Sequence, residues 1–419
     1  MRKFAAFLLI ASVLSPGCNP ERNQHDNMVP ESQSRRLMPT DLDYRGAFRL
    51  PRDTLGDTWE WSGTAGGMTY REGGDARGGD DGYPGSLYIS GHAWRMQVAE
   101  VSIPAPAWTE RMDVTRLPRA RTLQDFHPVA GRLAAVENLE IMRTGLAFLP
   151  SWPGGTAARL YFCWAEHFQE DGPYHGCCSP DLSSPDVFGP WRVGSLRVYS
   201  VNDYLFRIPR GWAGENAPGY FLATGRFRDG GWSGQGPALI AMGPGLEGNP
   251  PEKGTRLDAL PLLLYTSTED SRTSQYVMDG YHHSDEWTGG VWVDSARFRA
   301  VIFVGTKGRG NCWYGDKEGP CLECRGERGW WSDGFEGGFL FYDPDDFAAV
   351  ARGEAAPHDP QPYAFMVVDS RLFHIESEQE WHHLGPCAWD GERRILYVLE
   401  PWADGNRGVI HVWRIKNED

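Results

Sequence analysis

Glutamate, tryptophan and histidine recur together in short segments that end on glycine. The clearest are Glu60-Trp61-Ser-Gly, Asp285-Glu286-Trp287-Thr-Gly and Glu380-Trp381-His382-His383-Leu-Gly, with Glu140-Ile-Met-Arg-Thr-Gly and Gly231-Trp232-Ser-Gly as looser copies. A second set reads Gly91-His92-Ala-Trp94, Trp164-Ala-Glu166-His167, Glu269-Asp270, Lys307-Gly-Arg309 and Glu400-Pro-Trp402-Ala-Asp404. Indole faces stack under the C–H groups of a sugar ring while carboxylates accept from its hydroxyls, and 18 tryptophans are enough to build such a surface. Candidate ligand contacts are Trp61, His92, Trp94, His167, His282, Asp285, Trp287, Trp381, His382 and Trp402. Glycoside cleavage would need two carboxylates about 5 to 9.5 Å apart, one of them with a raised pKa. Glu60, Glu166, Glu286 and Glu400 could supply that pair. His282-His283-Ser-Asp285 with His382-His383 could bind a transition ion, but adjacent histidines in a strand face opposite ways, so each pair gives one ligand at most. No complete metal set emerges, and no cofactor motif, phosphate loop or nucleophile elbow is present.

Repetition has a second explanation. A tryptophan in every repeat can wedge between neighbouring sheets, and a glutamate can cap backbone amides. Groups that break the repeat, such as His92, Trp94, Glu166, His167, His282, Asp285 and His382, are therefore the better ligand candidates.

The elements that position these groups are short strands. The closing stretch Pro386-Cys-Ala-Trp389, Ile395-Leu-Tyr-Val-Leu399 and Val409-Ile-His-Val-Trp413 predicts three of them, the first two joined by a tight Asp390-Gly391 turn. Looser copies of the first two strands begin at Gly67, Gly145, Gly236 and Gly290, followed by apolar runs at Leu87–Ile89, Leu160–Phe162, Leu262–Tyr265 and Val301–Val304. Third strands are expected at Val98–Ile103, Leu196–Tyr199 and Phe339–Tyr342, and outer strands at Phe48–Leu50, Tyr204–Ile208 and Tyr220–Ala223. Such apolar runs fit strands covered on both faces. The repeat predicts an all-β chain folded as a five-bladed β-propeller with long inter-strand loops, an early strand near Tyr44 completing the last blade. The alternative is an assembly of β-sandwiches. One helix is expected, Asp345–Arg352, stopped by Gly353. Because strand direction alternates within a blade, loops before first strands and loops between second and third strands lie at one end. That end gathers the candidate residues.

The N-terminus reads as a targeting segment, residues 1–18, with Arg2-Lys3 before an apolar core and Ser15-Pro-Gly-Cys18 in the place of a lipoprotein cleavage box. Cys18 is the expected lipidation site. Residues 19–43 read as a polar disordered tether and 44–419 as the propeller domain. The implied location is the bacterial cell envelope, with membrane contact through the lipid alone and ordinary secretion as the alternative. A net charge of -15 excludes a nucleic-acid footprint, which demands a basic patch. For an exported chain, Cys163, Cys177, Cys178, Cys312, Cys321 and Cys324 are first read as disulfide partners. Cys387 is left over. Cys321-Leu-Glu-Cys324 has zinc-knuckle spacing without a second pair, so a stapled loop is preferred. Asp75, Asp80 and Asp81 sit among glycines and could hold structural calcium, although their spacing is not that of an EF-hand.

Tyr44-Arg-Gly-Ala-Phe-Arg-Leu-Pro51, Pro84-Gly-Ser-Leu-Tyr-Ile-Ser-Gly-His92, Val98-Ala-Glu-Val-Ser-Ile-Pro104 and Phe341-Tyr-Asp-Pro-Asp-Asp346, with the closing stretch, resemble a group of exported bacterial proteins with predicted propeller folds. The resemblance covers most of the chain after the tether. It implies a secreted propeller and transfers no activity. Five-bladed glycosidases share the general architecture, which is an analogy of fold. The expected function is recognition of an extracellular carbohydrate at an acidic, tryptophan-rich mouth. Glycoside hydrolase or lyase activity there, or a protein-docking role, are the alternatives.

Overall fold

The computed structural model describes residues 34–419 except 53–65, 76, 79–81, 92–95, 109–112, 132, 134–142, 152–156, 166–171, 197–200, 229–233, 244–249, 267–275, 316–328, 374–381 and 417–419. These residues form an all-β unit that starts at Ser34. In chain order the strands are β1 (Arg35–Arg36), β2 (Leu42–Arg49), β3 (Met68–Arg71), β4 (Ser86–Ser90), β5 (Gln97–Ser102), β6 (Thr122–Pro128) and β7 (Arg143–Leu149). Next come β8 (Arg159–Ala165), β9 (His175–Cys178), β10 (Val187–Val193), β11 (Tyr204–Arg207), β12 (Leu222–Gly225), β13 (Leu239–Gly243) and β14 (Arg256–Leu263). The last are β15 (Glu286–Asp294), β16 (Phe298–Tyr314), β17 (Trp330–Tyr342), β18 (Ala364–Val367), β19 (Cys387–Asp390), β20 (Ile395–Asp404) and β21 (Arg407–Ile415). Among the described residues two α-helices interrupt them, α1 (Arg210–Asn216) and α2 (Pro344–Ala351).

Pairing follows chain order. β3 to β6 form one antiparallel meander, β7 to β10 a second, β11 to β14 a third and β15 to β18 a fourth. β19 to β21 form the fifth, completed by β2 from the other end of the chain, with Leu42 opposite Ile415 and Phe48 opposite Ile410. The second and third meanders join through a short parallel pairing of β10 with β14 into an eight-stranded sheet. Its end strands β7 and β11 lie side by side, so the sheet is nearly closed and barrel-like.

Both faces of each meander are covered. The run Ser86–Ser90 is buried throughout, as is Ile395–Leu399, which explains why these strands show no polar alternation. Separate apolar clusters lie between the first and second, second and third, third and fourth, and fourth and fifth meanders. Another lies between the fifth and the first, where Phe48, Tyr397 and Leu399 meet Leu87 and Ile89. First strands touch in the same succession, β3 to β7, β7 to β11, β11 to β15, β15 to β19 and β19 back to β3.

Several expectations change. Residues 34–43, expected in the tether, form β1, a turn over Pro39–Asp41 and the start of β2, and Leu37 is fully buried. In the third meander Tyr204–Arg207 and Leu222–Gly225, expected as outer strands, are the first and second, while Leu239–Gly243 is the third rather than the first. The slip is two strands, which preserves direction, so the loops stay at the same end. The second meander's third strand is His175–Cys178, too short and polar to register as an apolar run; of the expected strand Leu196–Tyr199, residues 197–199 lie outside the described residues. The Asp390-Gly391 turn is wider than expected. Asp390 pairs with Ile395, its Oδ1 accepts from the amides of Glu392 and Arg393 at 3.0 and 3.1 Å, and the left-handed backbone falls on Arg394 at φ 58°. Helix α2 starts one residue earlier than expected, and its cap is Asp343, which accepts from the Asp345 amide at 3.0 Å.

Disulfides need correction. Cys163, Cys177, Cys178 and Cys312 are free thiols, as is Cys387. On β8 and β9 the residue opposite Cys163 is His175, and Cys177 stands opposite Tyr161. Neighbouring Cys177 and Cys178 point into different apolar clusters, as alternation along a strand requires. Cys321, Cys324 and Cys18 lie outside the described residues.

Candidate functional site

Glu286 is the first residue of β15 and is 8 % exposed. Gly305 of the paired strand permits its close approach, because a Cβ there would overlap the Glu286 carbonyl. Its Oε2 lies 2.6 Å from His382 Nδ1, just before β19, and its Oε1 lies 3.9 Å from an Arg228 Nη. Arg228 forms an isolated antiparallel bridge with Glu286, and the Trp287 amide donates to the Phe227 carbonyl at 2.6 Å. The segment after β12 is thereby fastened to the start of β15.

Two guanidiniums sit over Phe227, Arg143 at 3.6 Å and Arg228 at 5.0 Å from the ring centroid. Such contacts are worth about 0.5 to 2 kcal/mol each, more when desolvated. Arg226, 1 % exposed, donates to the carbonyls of Arg228, Gly234 and Gly236. Asp203, just before β11, accepts from the Phe227 amide at 2.7 Å. The starts of four successive first strands, β7, β11, β15 and β19, with the segment after β12, therefore gather two buried carboxylates, three arginines and a histidine.

The two carboxylates are driven apart. Burial pushes Asp203 up to about 6, against the Phe227 amide and Arg143, Arg226 and Arg228. Burial also opposes ionisation of Glu286, but His382 outweighs it, with help from Arg143 and Arg228, and holds that carboxyl below its ordinary range.

Trp402 completes the group. Its ring centroid is 6.2 Å from that of His382. It sits at a register shift in β20, between Glu400 and Asp404, with φ at 55°. A left-handed backbone on a bulky aromatic residue costs about 1 to 3 kcal/mol and is tolerated where the surroundings impose it.

Other expected residues have different surroundings. Trp287 is 1 % exposed and packs in the core between the third and fourth meanders, so its ring is no ligand platform. Glu400 is wholly buried. It accepts from His411 Nε2 at 2.7 Å and from the Phe373 amide at 2.9 and 3.0 Å, while the Tyr44 hydroxyl meets His411 Nδ1 at 2.8 Å. This is an internal brace of the fifth meander. Asp285 accepts from Lys307 Nζ at 2.9 Å through both oxygens and from the Gly308 amide at 2.9 Å. His282 contacts the Ser284 and Ser332 hydroxyls through Nδ1, at 3.0 and 3.1 Å, and the Gly310 carbonyl through Nε2 at 2.9 Å, so both ring nitrogens are engaged. His383 Nδ1 is 2.9 Å from Asp369 Oδ1. Among the described residues no three metal-ligating side chains converge. Asp75 accepts from Arg121 at 2.9 Å, while Asp80 and Asp81 lie outside the described residues. So do Glu60, Trp61, His92, Trp94, Glu166, His167 and Trp381.

Asp203, Arg143, Arg226 and Arg228 were not singled out from sequence. Arg143 lies inside a quoted repeat segment. Asp203 precedes a strand whose place in its meander was misassigned, which hid its kinship with Glu286. Compared with family models and with curated proteins, the chain matches none.

Proposed function

We propose that the five meanders are the blades of a five-bladed β-propeller on the bacterial cell envelope, anchored by lipid at Cys18, that binds an extracellular carbohydrate around Glu286. The cyclic sharing of apolar clusters and the completion of the last meander by β2 support the architecture. The reading of function rests on one observation: Trp402, held in a left-handed backbone, stands beside a histidine already bonded to a carboxylate. An indole face with acceptors and donors at its edge suits a pyranose ring. A thermal-shift screen of bacterial, algal and plant polysaccharides tests it, with newly formed reducing ends recorded in parallel. Silence in both readouts sinks the carbohydrate reading.

The opposed shifts of Asp203 and Glu286 favour a second reading, glycoside cleavage with Asp203 as the acid and Glu286 as the ionised partner. New reducing ends that vanish in Asp203→Asn would establish it. A thermal shift without reducing ends leaves the binding protein.

A further inference from the structure

Arg228, beside Glu286, has donors to spare. A guanidinium carries several N–H donors in a fixed fork, yet among the described residues that of Arg228 makes no hydrogen bond. Its contact with Glu286 Oε1, at 3.9 Å, is an ion pair too long for one. Its other contact is the Phe227 ring, 5.0 Å away. Glu286 does not close the gap, because its Oε2 is committed to His382 Nδ1 at 2.6 Å. Arg226, by contrast, spends donors on three backbone carbonyls.

The Arg228 side chain is 25 % exposed, so a solute can reach it. There is also room beside it. Beyond its chain neighbours, a Cβ built on Gly329, which leads into β17, would meet among the described residues only Arg228 Nη1, at 3.9 Å. The charge around this space favours an anion. Arg143, Arg226 and Arg228 stand with Asp203 and Glu286, three positive charges against two negative at neutral pH. The chain as a whole carries -15 and repels polyanions at long range, so an acidic ligand would be held by this local excess. A carboxylate is planar and matches the guanidinium fork with two parallel bonds, which makes it the acceptor such a side chain selects.

We propose that the carbohydrate bound around Glu286 is an acidic one, and that Arg228 receives the carboxylate of a uronate residue. The inference rests on the carbohydrate reading and names its substrate class. Trp402, His382, Glu286 and Arg228 follow one another in contact. A chain that stacks one ring on the indole meets the guanidinium at the other end of that row.

Tetramers of galacturonate, mannuronate, guluronate and glucuronate are the probes, each compared with its methyl ester, which keeps the ring and loses the charge. Calorimetric titration of the full chain should show an acid form bound roughly ten- to a hundredfold more tightly than its ester, the scale of one charge-assisted pair. Arg228→Gln should bring the two forms to within about threefold of each other. Arg45→Gln removes the same charge from an exposed position on β2 and should leave the preference intact. Esters that bind as tightly as the acids, or an equal loss of preference in both variants, overturn the uronate assignment. A sulfated galactose tetramer bound more tightly than every uronate overturns the carboxylate. If no uronate binds while a neutral polysaccharide does, the inference fails and the carbohydrate reading survives; silence toward all of them sinks both. Should Arg228→Gln fail to fold, Arg228→Lys keeps the charge and loses the fork, and an undiminished preference in that variant overturns the role of Arg228.

Discussion

His382 Nδ1 and Glu286 Oε2 are 2.6 Å apart, although their residues start different meanders. The pair ties the fourth meander to the fifth at the end where the ionisable groups collect. It also fixes the imidazole beside Trp402.

Replacing His382 with alanine should loosen any ligand held between that ring and Trp402. Calorimetric titration with the polysaccharide that gives the thermal shift should show affinity lower by about tenfold, the usual scale for one charge-assisted contact. Trp402→Gly separates binding from stability. Glycine accepts the left-handed backbone without strain, so melting should hold or rise while binding falls. Unchanged affinity in both variants would remove them from the site.

Asp203 gives a pH signature. Its folded-state pKa, about 6, lies above the ordinary 3.8. Stability attributable to it is fullest below about pH 4 and is lost as pH rises through 6, up to about 3 kcal/mol. Glu286 runs the other way, contributing above its ordinary 4.5 and losing that contribution as pH falls through its lowered value. Asp203→Asn keeps an acceptor for the Phe227 amide and abolishes the titration. Urea melts should show the variant more stable than the native protein at pH 7.5, with the gap closing toward pH 4. A gap independent of pH would mean that Asp203 does not titrate in this range.

Glu400 should prove structural. Removing it leaves the buried His411, and the Phe373 amide, without their acceptor. Glu400→Ala should cost about 3 to 5 kcal/mol in denaturant melts. Ligand affinity of the fraction that remains folded should equal that of the native chain. A variant of native stability that has lost binding would place Glu400 in the ligand site instead.

Among the described residues the four buried thiols should be silent, unlike the half-buried Cys312. Burial raises Cys163, Cys178 and Cys387 far above the ordinary thiol range and pushes Cys177 up to about 12. Thiolate, the reactive form, is scarce in all four. Ellman's reagent should leave them unreacted in native protein and titrate them in 6 M guanidinium. Cys163→Ala and Cys177→Ala should respond to dithiothreitol as the native chain does. Substantial native reactivity of Cys177 would show the strand opening.

The sequence carried much of the framework because apolar runs survive wherever a strand is covered on both faces. Leu87–Ile89, Val301–Val304 and Ile395–Leu399 are legible for that reason. His175–Cys178 was not, since four small or polar residues give no period, while Leu222–Gly225 was visible as a strand and only its place in the meander was missed. The site divides in the same way. Glu286 and His382 stand in visible repeats, whereas Arg228 acquires its meaning from a bridge to Glu286 and Asp203 from its bond to the Phe227 amide, contacts between segments distant in sequence. Trp287 misled because its motif resembles a binding motif while its ring is committed to the core.

One feature of the chain path sets the order of events as the protein is made. Tyr44 meets His411 across 367 residues, and Leu42 meets Ile415. The fifth meander therefore cannot be completed until the last strand has emerged, however early the others form. Such a distant closure carries a logarithmic entropy cost and slows the final step. Until then β21 presents an unpaired edge. A chain that loses its last dozen residues would retain four meanders' worth of sequence and still lack the partner on which β2 closes.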